Sequence, residues 1–144
     1  MKNLLLLTIA ILLTTMSVFA PPNLNDIGIN EAFLDLKREY DAAYLIELTW
    51  KAVCVIESRN NPKAINKSEQ AYGIVQVRQI RLDDYFQRTG IRYTLTEMLD
   101  TVKAKEVFMY YANILMDPET ISRRWNGSGE MTTTYWNLVK KHLK

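Results

Sequence analysis

The chain has very little of what thiol and metal chemistry require. Its 144 residues include one cysteine, Cys54, and one histidine, His142. A lone cysteine forms no internal disulfide, so in an oxidising compartment the fold must rest on its core. Val53 and Val55 flank Cys54, which reads as a buried structural thiol rather than a nucleophile. His142 lies two residues from the end among lysines, and with only these two residues a zinc site or a Cys–His pair has no further ligands of the usual type. No metal and no cofactor is expected. Charge of one sign is also scarce: 18 Lys and Arg stand against 16 Asp and Glu, a net charge of +2. A nucleic-acid surface needs a clustered basic face, which this balance does not offer. Internal repeats and low-complexity tracts are absent as well.

What is present begins with the N-terminus. Met1-Lys2-Asn3 supplies a short positive start, Leu4 to Met16 is almost wholly apolar, and Val18-Phe19-Ala20 ends in small residues suited to a cleavage site. The apolar run from Leu4 to Ala20 is 17 residues long and includes Thr and Ser, short for a membrane span. Residues 1–20 are therefore expected to be a signal peptide, directing the protein to the periplasm or cell envelope. Pro21 is a poor residue to follow a cut, and an uncleaved N-terminal anchor is the alternative. Past Ala20 the chain keeps 17 basic and 16 acidic residues, and 48% of the whole is hydrophobic, enough for one ordinary globular domain.

Residues 21–30 read as a linker, with Pro, Asn, Asp and Gly together. Residues 31–144 read as one mainly α domain. Leu45, Leu48, Thr49, Ala52, Val53 and Ile56 follow the spacing of a buried helical stripe, and Asn60-Asn61-Pro62 stops that helix. A small β element is expected near Lys67 to Val77, where Gly73-Ile74-Val75-Gln76-Val77 fits a strand or a helix start equally well. Ile80 to Arg88 is predicted helical, ended by Thr89-Gly90. Thr94-x-x-Glu97 is a capping-box pattern predicted to open a further helix. Val107, Tyr110, Tyr111, Ile114 and Leu115 form an apolar stripe ended by Asp117-Pro118. A short segment at Ile121 to Trp125 runs into the turn Asn126-Gly127-Ser128-Gly129. A last helix from Thr132 turns Tyr135, Leu138 and Val139 inward, and its terminal lysines suit the helix dipole.

Glu57 stands out by position. It falls at the end of the apolar helix, with Val53 and Cys54 on the turn beneath it and Trp50 two turns back. A carboxyl at the edge of an apolar face loses solvation, which favours its neutral form and raises its pKa. A general acid working at neutral pH needs that property. Glutamates in last helical turns are commonly solvated, so position alone leaves the matter open.

The company of Glu57 is more specific. Glu57-Ser58, Pro62, Gly73-Ile74-Val75-Gln76, Trp125-Asn126-Gly127, Thr134-Tyr135 and Val139 occur in this order. The series resembles the soluble lytic transglycosylase family, whose catalytic domain has a goose-type lysozyme-like helical fold. That family shows a Glu-Ser pair, a Pro, a Gly-Leu-Met-Gln run, an Ala-Tyr-Asn-Ala-Gly run and a closing helix of Thr-x-x-Tyr-Val type. The resemblance spans Thr49 to Leu143. It implies Glu57 as the catalytic acid/base, with Ser58 positioning the site beside it. It also implies Gly73 and Gln76 as cleft residues lining a sugar subsite, Asn126 facing substrate, and the Tyr135 hydroxyl near the glutamate. Val75 stands in place of Met, a change of similar volume. Trp125 stands in place of Tyr and fits either sugar stacking or packing. Ser128 departs from the third motif, and Asn60 stands where the family often has Phe, which would remove an apolar wall near Glu57.

The resemblance implies a reaction in which one carboxyl suffices. Glu57 protonates the glycosidic oxygen between N-acetylmuramic acid and N-acetylglucosamine, then accepts the proton of the muramic C6 hydroxyl, which closes a 1,6-anhydro ring. A hydrolytic muramidase of the same fold is the nearest alternative and needs a second carboxylate; Glu69, Asp83 and Asp84 are the candidates. A peptidoglycan-binding or assembly scaffold that no longer cuts is an alternative of another class. The expected partners are peptidoglycan glycan strands and, as in specialised members, an envelope-spanning secretion or conjugation complex. A monomer is expected.

Overall fold

The computed structural model describes residues 29–143, with side chains from Glu31 onward; the expected signal peptide and most of the linker lie outside them. The chain divides into two compact units, 1–39 and 40–144. In the first, the described residues form the opening turns of helix α1 (Ile29–Ser58), every side chain from Glu31 to Glu39 is exposed, and Asp35 pairs with Arg38 one turn on at 3.3 Å. The helix starts two residues inside the stretch predicted as linker. From Ile29 to Ser58 there is no Gly or Pro to break it.

The second unit is mainly helical with a small antiparallel sheet. After α1 come the two-residue strands β1 (Ile65–Asn66), β2 (Ala71–Tyr72) and β3 (Val77–Arg78), paired in the order β1-β2-β3. Helix α2 (Gln79–Thr89), a 3-10 segment (Leu95–Leu99), and helices α3 (Thr101–Leu115), α4 (Pro118–Asn126) and α5 (Met131–Lys140) follow. Among the described residues, no helix is long and apolar enough to cross a membrane.

The core forms where α1, the sheet and the later helices turn their apolar sides to one another, around Phe108, Leu82, Met98, Val53 and Val139. Trp50 meets the Phe108 ring edge-on at 5.3 Å between centres, and Phe108 in turn meets Trp125 at 4.9 Å. This aromatic chain sets the rotation of α1. Ile46, Thr49, Trp50, Val53 and Cys54 face the core, whereas Leu45, predicted inward, is 41% exposed, and Leu48 and Ile56 are half-buried. Apolar residues stand on several sides of this helix, so periodicity fitted two neighbouring registers, and the larger burial of Trp50 selects one.

Other boundaries also shift for local reasons. The Thr94/Glu97 capping box forms as predicted, but it opens the 3-10 segment. The α3 helix is capped separately by Asp100, whose side chain accepts from the Val102 N–H at 2.8 Å. Along α3 the buried residues are Ala104, Val107, Phe108 and Ala112, and Ile114 is 59% exposed, so the core face lies to one side of the predicted stripe. Met116, in left-handed conformation, ends α3, while Asp117 caps α4 through the Thr120 N–H at 2.7 Å, with Pro118 in the first turn. On α5, Tyr135 and Val139 are buried as predicted, joined by Thr132; Leu138 is 44% exposed.

Candidate active site

Every residue singled out as a site candidate lies in the second unit. Glu57 ends α1. Just beyond it Arg59 and Asn60 both take positive φ, and the Asn60 N–H donates back to the Cys54 carbonyl at 3.1 Å, turning the chain off the helix before Pro62. The exposed Asn60 belongs to this reversal. Four more segments converge on Glu57. The β2–β3 turn brings Gln76, β3 brings Arg78, the end of α4 brings Asn126, and α5 brings Tyr135. Glu57, Gln76, Arg78, Ile80, Arg81 and Asn126 line a cleft of about 110 Å³.

One hydrogen bond and partial burial set the state of Glu57. The Tyr135 hydroxyl donates to its Oε1 at 2.7 Å. The carboxyl is half-buried, and loss of solvent lifts its pKa above the ordinary 4.5. The tyrosine hydrogen bond and the Arg78 charge pull the other way without cancelling the lift, and the Glu69 charge adds to it. With Oε1 held by Tyr135, Oε2 is the oxygen without a partner among the described residues, and it is the one free to carry a proton to a bound molecule. Tyr135 itself is pushed well above the ordinary phenol range by burial and the adjacent carboxyl, so it stays a donor.

The Gln76 side chain is half committed. Its Nε2 donates to the Gly73 carbonyl at 2.8 Å and to the Ala64 carbonyl at 3.3 Å, which leaves Oε1 as an acceptor for a ligand. Asn126 has no side-chain hydrogen bond within the described residues, so its amide offers both a donor and an acceptor to the cleft.

Ser58, Gly73 and Trp125 do something else. The Ser58 hydroxyl donates to the Ile74 carbonyl at 2.7 Å and accepts from the Asn61 N–H at 3.1 Å, tying the end of α1 to the β2–β3 turn. It positions Glu57 from behind and does not line the cleft. Gly73, expected at a sugar subsite, is buried at φ +80, and a Cβ there would stand 1.9 Å from the Met98 carbonyl oxygen. The close approach it permits is to the 3-10 segment. Trp125 is 9% exposed, its indole N–H donates to the Val75 carbonyl at 2.9 Å, and its ring lies between Phe108 and the Arg81 guanidinium. Of its two expected roles, the structure supports packing, and the residue also borders the cleft.

Arg78, Ile80 and Arg81 were not singled out from the sequence, yet all three line the cleft. The signal was only nearness in sequence: Arg78 stands two residues past Gln76, but Gln76 lies in a turn at φ +52, so strand alternation could not place the two on one face. None of the candidate second carboxylates lines the cleft. Glu69 pairs with Arg78, Asp83 accepts from Gln79 at 2.8 Å, and Asp84 accepts from Arg88 at 2.8 Å and Tyr111 at 2.7 Å. Glu57 is the one carboxylate lining the cleft among the described residues. Cys54, one turn below it, is 2% exposed, and burial pushes its thiol up to about 12. That is an unreactive thiol, in keeping with a structural role.

The chain matches no family model, and comparison with curated proteins and with solved structures likewise gives no match.

Proposed function

We propose that this protein is a peptidoglycan lytic transglycosylase with a lysozyme-like catalytic domain, cutting the β-1,4 bond from N-acetylmuramic acid to N-acetylglucosamine. The observation that carries the reading is the Glu57–Tyr135 hydrogen bond. It joins a desolvated carboxyl to a phenol 78 residues away, in a cleft that also presents Gln76 and Asn126. Protonated Glu57 gives its proton to the glycosidic oxygen as the C1–O bond breaks. The resulting carboxylate takes the proton of the muramic C6 hydroxyl as that oxygen bonds to C1, and the carboxyl returns to its starting state. The nucleophile belongs to the same sugar, so high effective molarity takes the place of a positioned water. The Oε1 acceptor of Gln76 and the Asn126 amide suit sugar hydroxyl and acetamido groups. Hydrolysis by the usual two-carboxylate scheme needs a base on the far side of the ring. Among the described residues no carboxylate other than Glu57 lines the cleft, and Asp83 and Asp84 are held by neighbours on α2 and α3, which favours the single-carboxyl route.

The expected site of action is the cell wall, reached by export, and a role beside an envelope-spanning secretion or conjugation complex belongs to the same proposal. Digestion of purified peptidoglycan by the full chain, with mass analysis of the released muropeptides, tests the chemistry. Products ending in 1,6-anhydromuramic acid are expected, and none with Glu57→Gln. Reducing ends would mean hydrolysis, absence of release would sink cutting altogether, and full activity in Glu57→Gln would remove Glu57 from the role.

A further inference from the structure

Two arginines reach the cleft, and they are placed differently. Arg81 is largely buried and held by protein: its Nη2 donates to the Arg124 carbonyl at 2.8 Å and the Trp125 carbonyl at 3.2 Å. Its guanidinium also lies 4.8 Å from the ring centres of both Tyr111 and Trp125. It acts as a strut that holds the end of α4, and with it Asn126, against α2. Arg78 is not a strut. Its one side-chain hydrogen bond among the described residues runs from Nη2 to the Glu69 carboxylate, and half of its side chain is exposed. A guanidinium carries five N–H donors in a planar fork matched to carboxylates. Nε and Nη1 therefore have no acceptor among the described residues. Ile80, 78% exposed, lies two residues on at the same cleft.

We propose that Arg78 is a specificity-determining residue that binds a carboxylate carried on the substituent of the muramic sugar, and that Glu69 is the internal carboxylate it holds until the substrate's replaces it. The proposal rests on the peptidoglycan reading and adds the part of the substrate that the cleft selects. Energetics favour the exchange. An exposed ion pair contributes only about 0–1 kcal/mol, so releasing Glu69 costs little. A carboxylate on an already bound strand arrives at high effective concentration and meets two parallel N–H groups, the stronger geometry. Ile80 offers an apolar contact to the carbon chain that bears the acid. Arg78 stands close enough to Glu57 for its charge to act on that carboxyl. An acid bound there would neutralise part of that charge beside the catalytic group.

The test is binding by calorimetry with the full chain carrying Glu57→Gln, which removes turnover. Glycan strands with their stem peptides are compared as isolated and after carbodiimide amidation of their carboxyl groups. Untreated strands are expected to bind about tenfold tighter, equivalent to 1.4 kcal/mol. Adding Arg78→Gln should bring the ratio near one, with Arg78→Lys, which keeps charge but not the fork, in between. Adding Glu69→Gln instead should tighten binding of untreated strands a few-fold, because the internal competitor is gone. Thermal melts establish that each variant is folded. Equal affinity for the two strands, or a preference that survives Arg78→Gln, would overturn the proposal. The two readings fail separately. A carboxylate preference without muropeptide release by the wild type would sink the activity alone, and anhydro products without the preference would sink this role for Arg78 alone. No binding of either strand would sink both.

Discussion

Gly73 and Gly90 have nearly the same backbone conformation, φ +80 and +75, and opposite surroundings. That makes Gly73→Ala, with Gly90→Ala as its partner, a sharp test of why a glycine stands at the head of the β2–β3 turn. Alanine in the left-handed region costs about 1–2 kcal/mol at either position, and loss of unfolded-chain freedom offsets both alike. At Gly90 a Cβ meets nothing within 4 Å, so the conformational cost is the whole effect. At Gly73 the Cβ would lie 1.9 Å from the Met98 carbonyl oxygen and 2.8 Å from its carbon. Ordinary contact is about 3.4 Å, so backbone must move by roughly 1.5 Å, and overpacking of that kind costs about 1–3 kcal/mol. The carbonyl cannot yield cheaply. Met98 is fully buried, and its segment is held by the Thr94/Glu97 capping box and by the Glu97–Lys103 pair at 2.7 Å. Gly73→Ala should therefore lose about 2–4 kcal/mol and Gly90→Ala about 1, measured by urea unfolding. By melting temperature, at roughly 4 °C per kcal/mol for a domain near this size, the gap is about 4–12 °C. Equal losses at the two positions would refute the reasoning. Equal stability with loss of activity only in Gly73→Ala would return that glycine to the substrate side.

Other expectations follow from the same geometry. Tyr135→Phe removes a hydrogen bond that favours the Glu57 carboxylate, so the pH above which activity falls should move upward, while the maximal rate drops by about tenfold or more; a pH–rate profile of muropeptide release reads both, and an unmoved limb would contradict the assignment. Glu57 has its pKa raised in the folded state, so its contribution to stability is complete below the unfolded value of 4.5 and is lost as pH rises through the folded value. Glu57→Gln should accordingly melt higher than wild type at neutral pH, with the gain fading towards pH 4; a constant difference across that range would mean the carboxyl is not desolvated. Cys54 should resist a thiol reagent in the native protein and react fully on unfolding, and rapid native labelling would be inconsistent with its burial.

Much of the architecture is set by local chemistry. Pro62 after Asn60-Asn61 stops α1, Gly90 ends α2, and Asp117-Pro118 separates α3 from α4, because each acts on its own backbone or on that of its neighbours. The mainly α class and the small β element between α1 and α2 follow from such signals. So does Glu57, since a carboxyl just past Val53 and Cys54 on a helix of known pitch must sit at the edge of an apolar face.

Facing, and therefore role, belongs to tertiary structure. Leu45 and Ile46, like Ile114 and Ala112, are neighbours on their own helices, and only packing against Phe108 and its surroundings decides which of them goes inward. Ser58 and Gly73 were as plausible in the cleft as Gln76 and Asn126, until the Ile74 carbonyl took up the serine hydroxyl and the Met98 carbonyl the space beside the glycine. The pairing of Tyr135 with Glu57, and of Arg78 with Glu69, joins segments that fold as separate elements, and a one-dimensional pattern carries no distance between them. The sequence determined which groups are available; the packed structure decided which of them are left unsatisfied and facing the cleft. A ligand can bind only the donors and acceptors the fold has not used.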